Sequence, residues 1–323
     1  MTAPRAIKFH DTKTGKLLNF EPVTPGEAKI YSCGPTVYNY AHIGNFRNFV
    51  FVDVLRRVLK LFGYKVTHVR NITDIDDKII RRANEEGISI QELSQRYEKA
   101  FYEDCDYLRL ERVEHSPRAT EHIQEMVDMI NSLIDKDYTY EKDGSIYYRI
   151  SKFKEYGKLS HIDLSNVRSG ARVDSDEYSK EDARDFVLWK GEKEDEPSWD
   201  APFGCGRPGW HLECSAMSKK YLGDTFDIHT GAEDLVFPHH ENEIAQSEAA
   251  NDADYVKYWL HCAFLNMKDV KMSKSLGNIV TAKQLRDDKV NGDAIRYFLL
   301  SVHYRKPLGF SMDSIEAAQT AVN

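Results

Sequence analysis

An alternation of strand, helix and strand near the start of the chain is the feature that most constrains its fold. Residues 28–33 predict a short strand that ends in the turn Gly34-Pro35. A helix is predicted from about Asn45, because apolar residues recur there every three or four positions, and Gly63 is a helix-stop residue. Residues 64–72 are rich in β-branched side chains and predict the next strand. This order predicts a parallel sheet and therefore an α/β fold.

The segment 138–199 departs from this α/β pattern. Before it, helices are predicted at 74–84, 89–106 and 119–134. The segment itself predicts short strands at 138–141 and 145–150, followed by a run of acidic side chains that we expect to be solvated. Those side chains are Asp174, Asp176, Glu177, Glu181, Asp182 and Asp185. We therefore expect an α+β insertion in the α/β domain.

The α/β pattern resumes after residue 200. Strands are predicted at 226–229 and 258–265, and helices at 238–250, 282–287, 292–301 and 314–322. We expect the first half of the α/β domain, the insertion, the second half of that domain and a C-terminal helical segment, at residues 1–115, 116–200, 201–265 and 266–323.

Composition and charge favour a soluble globular protein. Hydrophobic residues make up 41% and charged residues 30% of the chain, which is typical of a folded domain rather than a disordered or membrane protein. The net charge of -8 disfavours non-specific coating by nucleic acid, although a local basic patch can still bind phosphate. Five cysteines in 323 residues indicate reduced thiols or metal ligands rather than a disulfide framework.

Targeting and membrane segments are not predicted. Residues 1–20 mix Lys, His, Asp and Arg without an apolar stretch, so no signal peptide is expected. The most apolar window, 49–62, is interrupted by charged side chains and predicts no membrane-spanning helix. We therefore expect a cytoplasmic protein with no membrane partner and, because nothing in the sequence signals an interface, a monomer.

Three glycines match the spacing of a dinucleotide-binding loop, but their context excludes that function. They are Gly204, Gly206 and Gly209. Such a loop follows a strand and opens a helix, whereas here Pro202 precedes the glycines and Pro208 interrupts them. No G-x-x-x-x-G-K-[ST] loop is present either. A nucleotide site would therefore be of another kind.

Residues 35–45 lie between the first predicted strand and helix, where open α/β sheets bind ligands. The N-terminus of the helix offers N–H groups and a positive dipole end to phosphate. Gly44 allows a nucleotide to approach the backbone closely, and the side chains of His42 and Asn45 can donate to phosphate oxygens. The same residues also suit a simple turn in which Asn45 caps the helix and His42 lies on the surface.

Lys271 and Lys274 are separated by two residues in the segment Lys-Met-Ser-Lys-Ser at 271–275. Two lysines among small hydroxyl side chains form a cationic clamp. Nucleotidyl transfer needs such a clamp, because negative charge moves from the α- to the β-phosphate. On local chemistry alone, a solvated loop of lysines and serines is the simpler interpretation.

Cys33, Cys214, His239 and Glu243 are candidate ligands for a metal ion. His239 and Glu243 are four residues apart, which places both on one face of a helix. Thiolate, imidazole and carboxylate groups are good zinc ligands, and His240 is the alternative ligand in the same run. No C-x-x-C spacing supports the site, so buried thiols and a surface His–Glu pair are the competing interpretation.

Taken together, these segments resemble a known enzyme family. Residues 42–45, His-Ile-Gly-Asn, resemble the HIGH signature of class I aminoacyl-tRNA synthetases (the first signature), and 271–275 match their KMSKS signature (the second signature). Within that class, further segments resemble the cysteinyl-tRNA synthetases, and the similarity spans essentially the whole chain. These segments are 32–38, 70–78, 209–217 and 237–243. The family implies a Rossmann-like, doubly wound parallel sheet.

The resemblance also implies ATP-dependent activation of L-cysteine and its transfer to cysteine tRNA. It assigns one zinc ion per chain to Cys33, Cys214, His239 and Glu243, and so selects His239 over His240. It assigns ATP, bound with Mg²⁺, to Thr36, His42, Asn45, His229, Lys271 and Lys274, of which His42, Asn45, Lys271 and Lys274 are catalytic. It assigns the amino-acid pocket to Gly34, Thr73, Trp210 and Asp234.

Two features depart from the family pattern. Asn45 stands where the HIGH signature ends in histidine, and an amide carries no charge, so we expect a weaker phosphate contact. The chain ends at Asn323 inside a predicted helix, where the family continues into an anticodon-binding domain, so we expect a truncated form or a short paralogue. Two other functions share these features: a ligase that joins activated cysteine to a small-molecule amine, and a non-catalytic zinc module that binds RNA.

Overall fold

The structure is a computed structural model, and it describes residues 6–162, 184–267, 270–271 and 279–323, with the backbone alone at 270–271. Its strands are β1 (Lys8–His10), β2 (Leu17–Asn19), β3 (Glu27–Ser32), β4 (Lys65–Arg70), β5 (Thr139–Lys142), β6 (Ser145–Tyr148), β7 (Phe186–Gly191), β8 (Gly206–Pro208), β9 (Phe226–Ala232), β10 (Val256–Cys262), β11 (Leu265–Met267), β12 (Val270–Lys271) and β13 (Leu308–Phe310). Its α-helices are α1 (Ile43–Leu61), α2 (Asp77–Glu86), α3 (Ile90–Tyr107), α4 (Ile123–Asp135), α5 (Trp210–Leu222), α6 (Glu241–Asn251), α7 (Ala282–Asp287), α8 (Gly292–Leu300) and α9 (Met312–Val322).

Internal contacts divide the chain into two compact units. The first unit comprises Met1–Val23, Pro117–Ile228 and Asp234–Trp259, and the second comprises Thr24–Ser116, His229–Glu233 and Leu260–Asn323. The boundary falls inside β9 and β10. Within the described ranges, every helix is too short or too polar to cross a membrane. The four-segment division expected from the sequence stays a prediction.

A four-stranded sheet of order β10-β9-β3-β4 contains the predicted strand–helix–strand unit. Strands β3 and β4 run parallel, with Ser32 opposite Arg70, and α1 connects them. The unit is confirmed, with α1 beginning at Ile43 rather than at Asn45. Because the carboxyl ends of parallel strands meet at one edge of a sheet, the residues that follow Ser32 and Arg70 lie side by side.

The second unit buries a core of aromatic and aliphatic side chains that come mainly from its helices. Phe46 and Phe49 on α1 contact Phe101 on α3, with ring centroids 5.9 and 5.2 Å apart. The Arg70 guanidinium lies over the rings of Phe49 and Phe101, at 5.3 and 5.1 Å. This cation–π contact holds the end of β4 against the same cluster.

Asp53 is a buried carboxylate that ties α1 to other parts of the second unit. It accepts hydrogen bonds from the side chains of Arg57 and Arg296 and from the Glu111 backbone N–H, at 2.8, 2.5 and 2.8 Å. Burial acts to raise the pKa of Asp53, but these hydrogen bonds outweigh it and hold the pKa below its usual value. The carboxylate therefore stays ionised at neutral pH and fixes α1 relative to α8, which carries Arg296.

The first unit contains an antiparallel sheet of order β5-β6-β7-β8. Strands β5 and β6 confirm the two predicted strands, whereas β7 and β8 were not predicted. Tyr140 stacks on Tyr147, and Tyr148 stacks on Phe186 of β7, with centroid distances of 5.3 and 4.9 Å. Stacked aromatic pairs across neighbouring strands are a common means of stabilising such a sheet.

The glycines near residue 206 serve strand packing and not a dinucleotide loop. Gly206 lies in β8, which runs antiparallel to β7, and Gly209 is the N-cap of α5. A Cβ at Gly206 would lie 2.2 Å from the Lys190 carbonyl oxygen, and one at Gly209 would lie 2.2 Å from that of Val187. Only glycine permits so close an approach between backbones.

Asp185 is buried, so the prediction of a solvated side chain at this position is wrong. It is 3% exposed and accepts a hydrogen bond from the Ile150 backbone N–H at 2.9 Å. Ile150 begins the short 3₁₀ helix Ile150–Lys152, and the carboxylate satisfies an N–H that this helix leaves without an internal partner. The other acidic residues of the run, at 174–182, lie outside the described residues.

We predict that Phe46→Ala will lower the free energy of unfolding by about 3–5 kcal/mol, because Phe46 is fully buried in the aromatic cluster and its loss leaves a cavity. Leu61→Ala is the matched control on the same helix, since Leu61 is 82% exposed, and we expect it to change stability by less than about 0.5 kcal/mol. Urea unfolding followed by circular dichroism measures both. Equal losses in the two variants would contradict this description of the core.

Candidate active site and metal centre

Three of the predicted site residues meet at the carboxyl ends of β3 and β4. Thr36 and Thr73 form an isolated parallel bridge, and Val37 N–H donates to the Thr73 carbonyl at 3.1 Å. The Asn71 side chain links the two turns, because it accepts from Gly34 N–H at 2.9 Å and donates to Thr73 Oγ1 at 3.1 Å. The structure therefore brings Gly34, Thr36 and Thr73 together, in the second unit.

Gly34 is required by the close approach of these turns. A Cβ at this position would lie 1.6 Å from the Asn71 carbonyl oxygen, a distance that no adjustment of a side chain can relieve. The turn after β3 can therefore reach the turn after β4 only with glycine here.

The first signature forms a reciprocal cap at the N-terminus of α1. His42 is the N-cap residue, and its Nδ1 accepts from Asn45 N–H at 3.2 Å, while Asn45 Oδ1 accepts from His42 N–H at 3.1 Å. A neutral imidazole that accepts at Nδ1 carries its proton on Nε2. A Cβ at Gly44 would lie 2.9 Å from His42 Nδ1, so glycine makes room for the folded-back ring. The expected cap by Asn45 is thus present, and His42 takes part in it.

The cap changes what α1 can offer to an anion. We expected several N–H groups at this helix end, but Ile43 N–H donates to the Val280 carbonyl at 2.8 Å and Asn45 N–H donates to His42. Among the first three helical residues, Gly44 alone has an N–H without a protein acceptor in the described part of the chain. The expectation is corrected to one backbone donor, next to the side chains of His42 and Asn45.

The chain that follows the second signature returns to the first. His42 and Thr281 form an antiparallel bridge, and Thr281 is the N-cap of α7. At the first residue of the signature, the Lys271 backbone pairs with that of Asn266 in β11. Lys274 lies outside the described residues. The structure therefore joins the backbone that leaves the second signature to the first signature, within the second unit.

Cys214, His239 and Glu243 form a buried cluster of donor atoms in the first unit. Cys214 Sγ lies 3.6 Å from His239 Nε2, and the same nitrogen lies 3.0 Å from Glu243 Oε1. The candidate ligand atoms all lie within 4.8 Å of one another, and no side chain is more than 1% exposed. His239 lies in the π turn Val236–His240 that leads into α6, so the predicted helical spacing to Glu243 is kept although the predicted helix begins later.

Two side chains that the sequence did not single out hold these donors in place. His211 Nδ1 lies 2.8 Å from His239 Nδ1, which directs the other nitrogen of His239 toward Cys214 and Glu243. The Tyr255 hydroxyl donates to Glu243 Oε2 at 3.0 Å. Partners of this kind orient metal ligands. His211 lies three residues before Cys214 and could have been found by helical spacing, whereas nothing in the sequence marks Tyr255.

The electrostatics of the cluster favour a positive charge at its centre. Burial acts to lower the pKa of His239, but the Glu243 carboxylate and Cys214 outweigh it and raise the pKa to about 10. Burial raises the pKa of Tyr255 well above its usual value, so Tyr255 stays a hydrogen-bond donor to Glu243. Thiolate, imidazole and carboxylate are the donors that zinc takes in proteins, so the residues present fit a zinc ion.

The remaining predicted residues lie as follows. Cys33 follows β3 directly, is 9% exposed and belongs to the second unit. His229 in β9 is fully buried, and its ring lies 5.2 Å from that of Tyr31. Trp210 begins α5, and its indole stacks on the His239 ring at 4.1 Å. Asp234 is exposed in a 3₁₀ turn of the first unit.

His240 is the alternative metal ligand, and the geometry separates it from His239. His240 Nε2 lies 3.9 Å from Glu243 Oε1, against 3.0 Å for His239 Nε2. The His240 ring instead contacts Trp259 at 5.2 Å. Within the first unit, His239 is therefore the histidine closer to Glu243.

Solved structures show which class of protein has this fold. The chain is similar to a methionyl-tRNA synthetase of Mycobacterium tuberculosis solved with methionyl-adenylate, with a TM-score of 0.69, 16% identity, and coverage of 90% of this chain and 67% of that one. At that identity the likeness concerns the fold alone. The fold is the one expected from the sequence, an α/β fold of the Rossmann-like class I synthetase type.

Sequence comparison identifies the branch of that class. Residues 19–320 match the model of the class I (C) tRNA synthetase catalytic domain. Relatives named cysteine–tRNA ligase, from Caldicellulosiruptor saccharolyticus and Solibacter usitatus, are 51% and 53% identical over 98% of this chain and 68% of their own length. The chain therefore belongs to the cysteine–tRNA ligase family of class I synthetases, which confirms the resemblance.

We predict that His239→Gln will weaken zinc binding by at least about tenfold. Loss of a residue that only orients a metal ligand typically lowers metal affinity by about tenfold or more, and His239 is itself a proposed ligand. His240→Gln is the matched control, equally buried and adjacent in sequence, and we expect its zinc content to stay at the wild-type level. Metal analysis after dialysis measures both, with circular dichroism to check folding. If His240→Gln lost the metal and His239→Gln kept it, the assignment of ligands would be reversed.

Proposed function

We propose that the chain activates L-cysteine with ATP to form cysteinyl-adenylate and pyrophosphate, and then transfers cysteine to the terminal ribose of cysteine tRNA. The observation that carries this proposal is the buried donor cluster of Cys214, His239 and Glu243 on a class I synthetase fold. A pocket that recognises a thiol by metal coordination suits cysteine better than any other amino acid. The names of the relatives agree with this choice of substrate.

The first step is an in-line displacement at the α-phosphorus of ATP. A carboxylate oxygen of cysteine forms the new O–P bond, the bond from the α-phosphorus to the bridging oxygen breaks, and pyrophosphate leaves. Because the carboxylate is already ionised, this step needs no general base. Positioning and stabilisation of the moving negative charge supply the catalysis. In the second step the terminal 2′-hydroxyl oxygen of tRNA attacks the cysteinyl carbonyl carbon. The bond from that carbon to the phosphate oxygen breaks, AMP leaves, and the hydroxyl proton is released to solvent.

We assign the polyphosphate to the two signatures. The His42 Nε2–H, the Asn45 amide and the Gly44 backbone N–H are donors at the positive end of α1. Lys271 and Lys274 meet the charge that develops on pyrophosphate, with Mg²⁺ bound to the phosphates. Thr36 and His229 contact the nucleotide in this assignment.

We assign one zinc ion per chain to Cys33, Cys214, His239 and Glu243. Cys33 is the fourth donor because it is a buried thiol directly after β3, at the sheet edge where ligands bind in this kind of fold. When bound, zinc supplies a borderline-soft Lewis acid that prefers a thiolate to a hydroxyl. We assign the rest of the amino-acid pocket to Gly34, Thr73, Trp210 and Asp234, and the Trp210 indole stacks on the His239 ring.

The tRNA partner and the cellular setting complete the proposal. A net charge of -8 gives no long-range attraction to tRNA, so tRNA contacts depend on local donors and weaken with salt. We propose a monomer that works in the cytoplasm in protein biosynthesis.

We predict cysteine-dependent ATP–pyrophosphate exchange that discriminates against serine by more than about 10²-fold, the limit for an apolar pocket facing a near-isostere. Exchange is measured with each amino acid, and charging is measured with cysteine tRNA. Charged tRNA supports the proposal. Exchange without any charged tRNA points instead to a ligase with a small-molecule acceptor, and no exchange at all points to a non-catalytic module.

We predict that Lys274→Ala will slow adenylate formation by about 10²–10⁴-fold while cysteine affinity changes little, because the lysine acts on charge that is present chiefly in the transition state. Lys99→Ala, an exposed lysine on α3, is the control and should keep the wild-type rate. Single-turnover kinetics and calorimetry separate the two quantities. A rate within a few-fold of wild type in Lys274→Ala would end the clamp assignment.

A further inference from the structure

Helix α7 is held at both of its ends, and one of the contacts is an ion pair between a partly exposed arginine and a buried carboxylate. At the N-terminus, Thr281 is bridged to His42, and Ala282 N–H reaches the Ala41 carbonyl at 3.4 Å. Near the C-terminus, Arg286 Nη1 lies 3.1 Å from Asp104 Oδ1 on α3. This short helix therefore connects the backbone beside the first signature to α3.

Packing does not explain why an ionisable side chain is buried at position 104. The side chain is 1% exposed, and apart from the ion pair with Arg286 neither carboxylate oxygen has a hydrogen-bond partner among the described residues. A buried carboxylate normally accepts several hydrogen bonds, and a single ion pair seldom compensates for the loss of water. Apolar packing of α7 is already provided by Ala282 and Leu285, which are 0% and 1% exposed. A neutral side chain at position 104 would therefore serve stability better.

The ion pair with Arg286 is the main interaction that offsets the cost of burying the Asp104 carboxylate. Burial is the largest influence on Asp104 and raises its pKa to about 6. Arg286 and Lys283 on α7 act to lower the pKa, and Glu103 on α3 and Asp287 on α7 act to raise it. Arg286 also reaches Glu103 at 3.3 Å. At neutral pH the folded protein thus maintains an ionised carboxylate at a cost in stability.

We propose that Arg286 and Asp104 are a positioning pair for adenylate formation: by holding α7 against α3, they fix the chain that leaves the second signature beside His42. The inference rests on the proposed function for its catalytic consequence. Its structural part concerns α3, α7 and the first signature alone. A misplacement of about 1 Å at reacting groups can cost about 10²-fold in rate, so a contact remote from the substrate is enough to matter.

Asp104→Asn separates positioning from stability. The substitution keeps the volume and removes a charge that burial disfavours, as the raised pKa of Asp104 shows, so we expect the urea midpoint to stay the same or rise at pH 7.5. We expect kcat for exchange to fall by about tenfold or more, with the KM for cysteine within about twofold, because the pair does not contact substrate. Backbone amides of α7 should exchange hydrogen for deuterium faster than in the wild type.

Two further variants complete the experiment. Arg286→Lys should recover part of the rate lost in Arg286→Gln, because it restores the charge without the guanidinium geometry. Arg96→Gln is the control: Arg96 also lies on α3 and pairs with Glu86 at 2.7 Å, but that pair joins α3 to α2. It should leave the rate and the α7 amides unchanged.

The pH profile gives a readout that a structural role would not produce. As the pH falls through about 6, wild-type Asp104 becomes protonated and resembles Asp104→Asn, so the ratio of the two rates should approach one. The proposal is overturned if Asp104→Asn leaves the α7 amides unchanged, or if it keeps the wild-type rate at pH 7.5. A wild-type chain without cysteine-dependent exchange would instead contradict the proposed function, and the deuterium measurement would still decide whether the pair holds α7.

Discussion

The buried carboxylate of Glu243 determines which polar side chains must lie around it in the first unit. A carboxylate without solvent exposure needs close partners, because leaving it unpaired costs several kcal/mol. Its partners are His239 at 3.0 Å and Tyr255 at 3.0 Å. The Tyr255 hydroxyl is in turn 2.8 Å from Ser218 Oγ on α5, one turn after Cys214. The contacts that stabilise the Glu243 carboxylate therefore also link α6 to α5 through Tyr255. They keep the donor atoms that fit a zinc ion close together.

The helix cap explains how asparagine fits at position 45, where the HIGH signature ends in histidine. At the position where HIGH ends, the Asn45 side chain accepts from His42 N–H and so closes the reciprocal capping box at the start of α1. The cap consumes the Asn45 backbone N–H but leaves the side-chain amide nitrogen as a donor. Asn45 therefore fixes the start of α1 but does not supply the positive charge that a histidine can carry. The proposed phosphate site relies on neutral donors at this helix end and on the lysines of the second signature.

The sequence predicted the elements with clear periodicity and missed those without it. The sequence predicts the strand–helix–strand unit because α1 has a polar and an apolar face. It does not predict α5, because every residue from His211 to Ser218 is buried and no periodicity remains. The prediction of a solvated Asp185 is wrong because a pattern of acidic residues does not reveal a partner such as Ile150 N–H. Motifs identified the donor cluster, but hydrogen bonds such as the one from Tyr255 depend on folding and leave no local signal.

The two signatures lie far apart in the sequence, and they are carried by different sheets. The first follows β3 of the parallel sheet, where ligand sites form at the ends of strands, whereas the second begins in the sheet of order β12-β11-β13. Packing of helices alone leaves the backbone of such segments free to shift by fractions of an ångström. In the second unit, direct backbone pairing of His42 with Thr281 removes that freedom. Chemistry that depends on charge stabilisation is sensitive to such shifts, and the proposed pair of Asp104 and Arg286 limits them by holding the neighbouring helix α7 against α3.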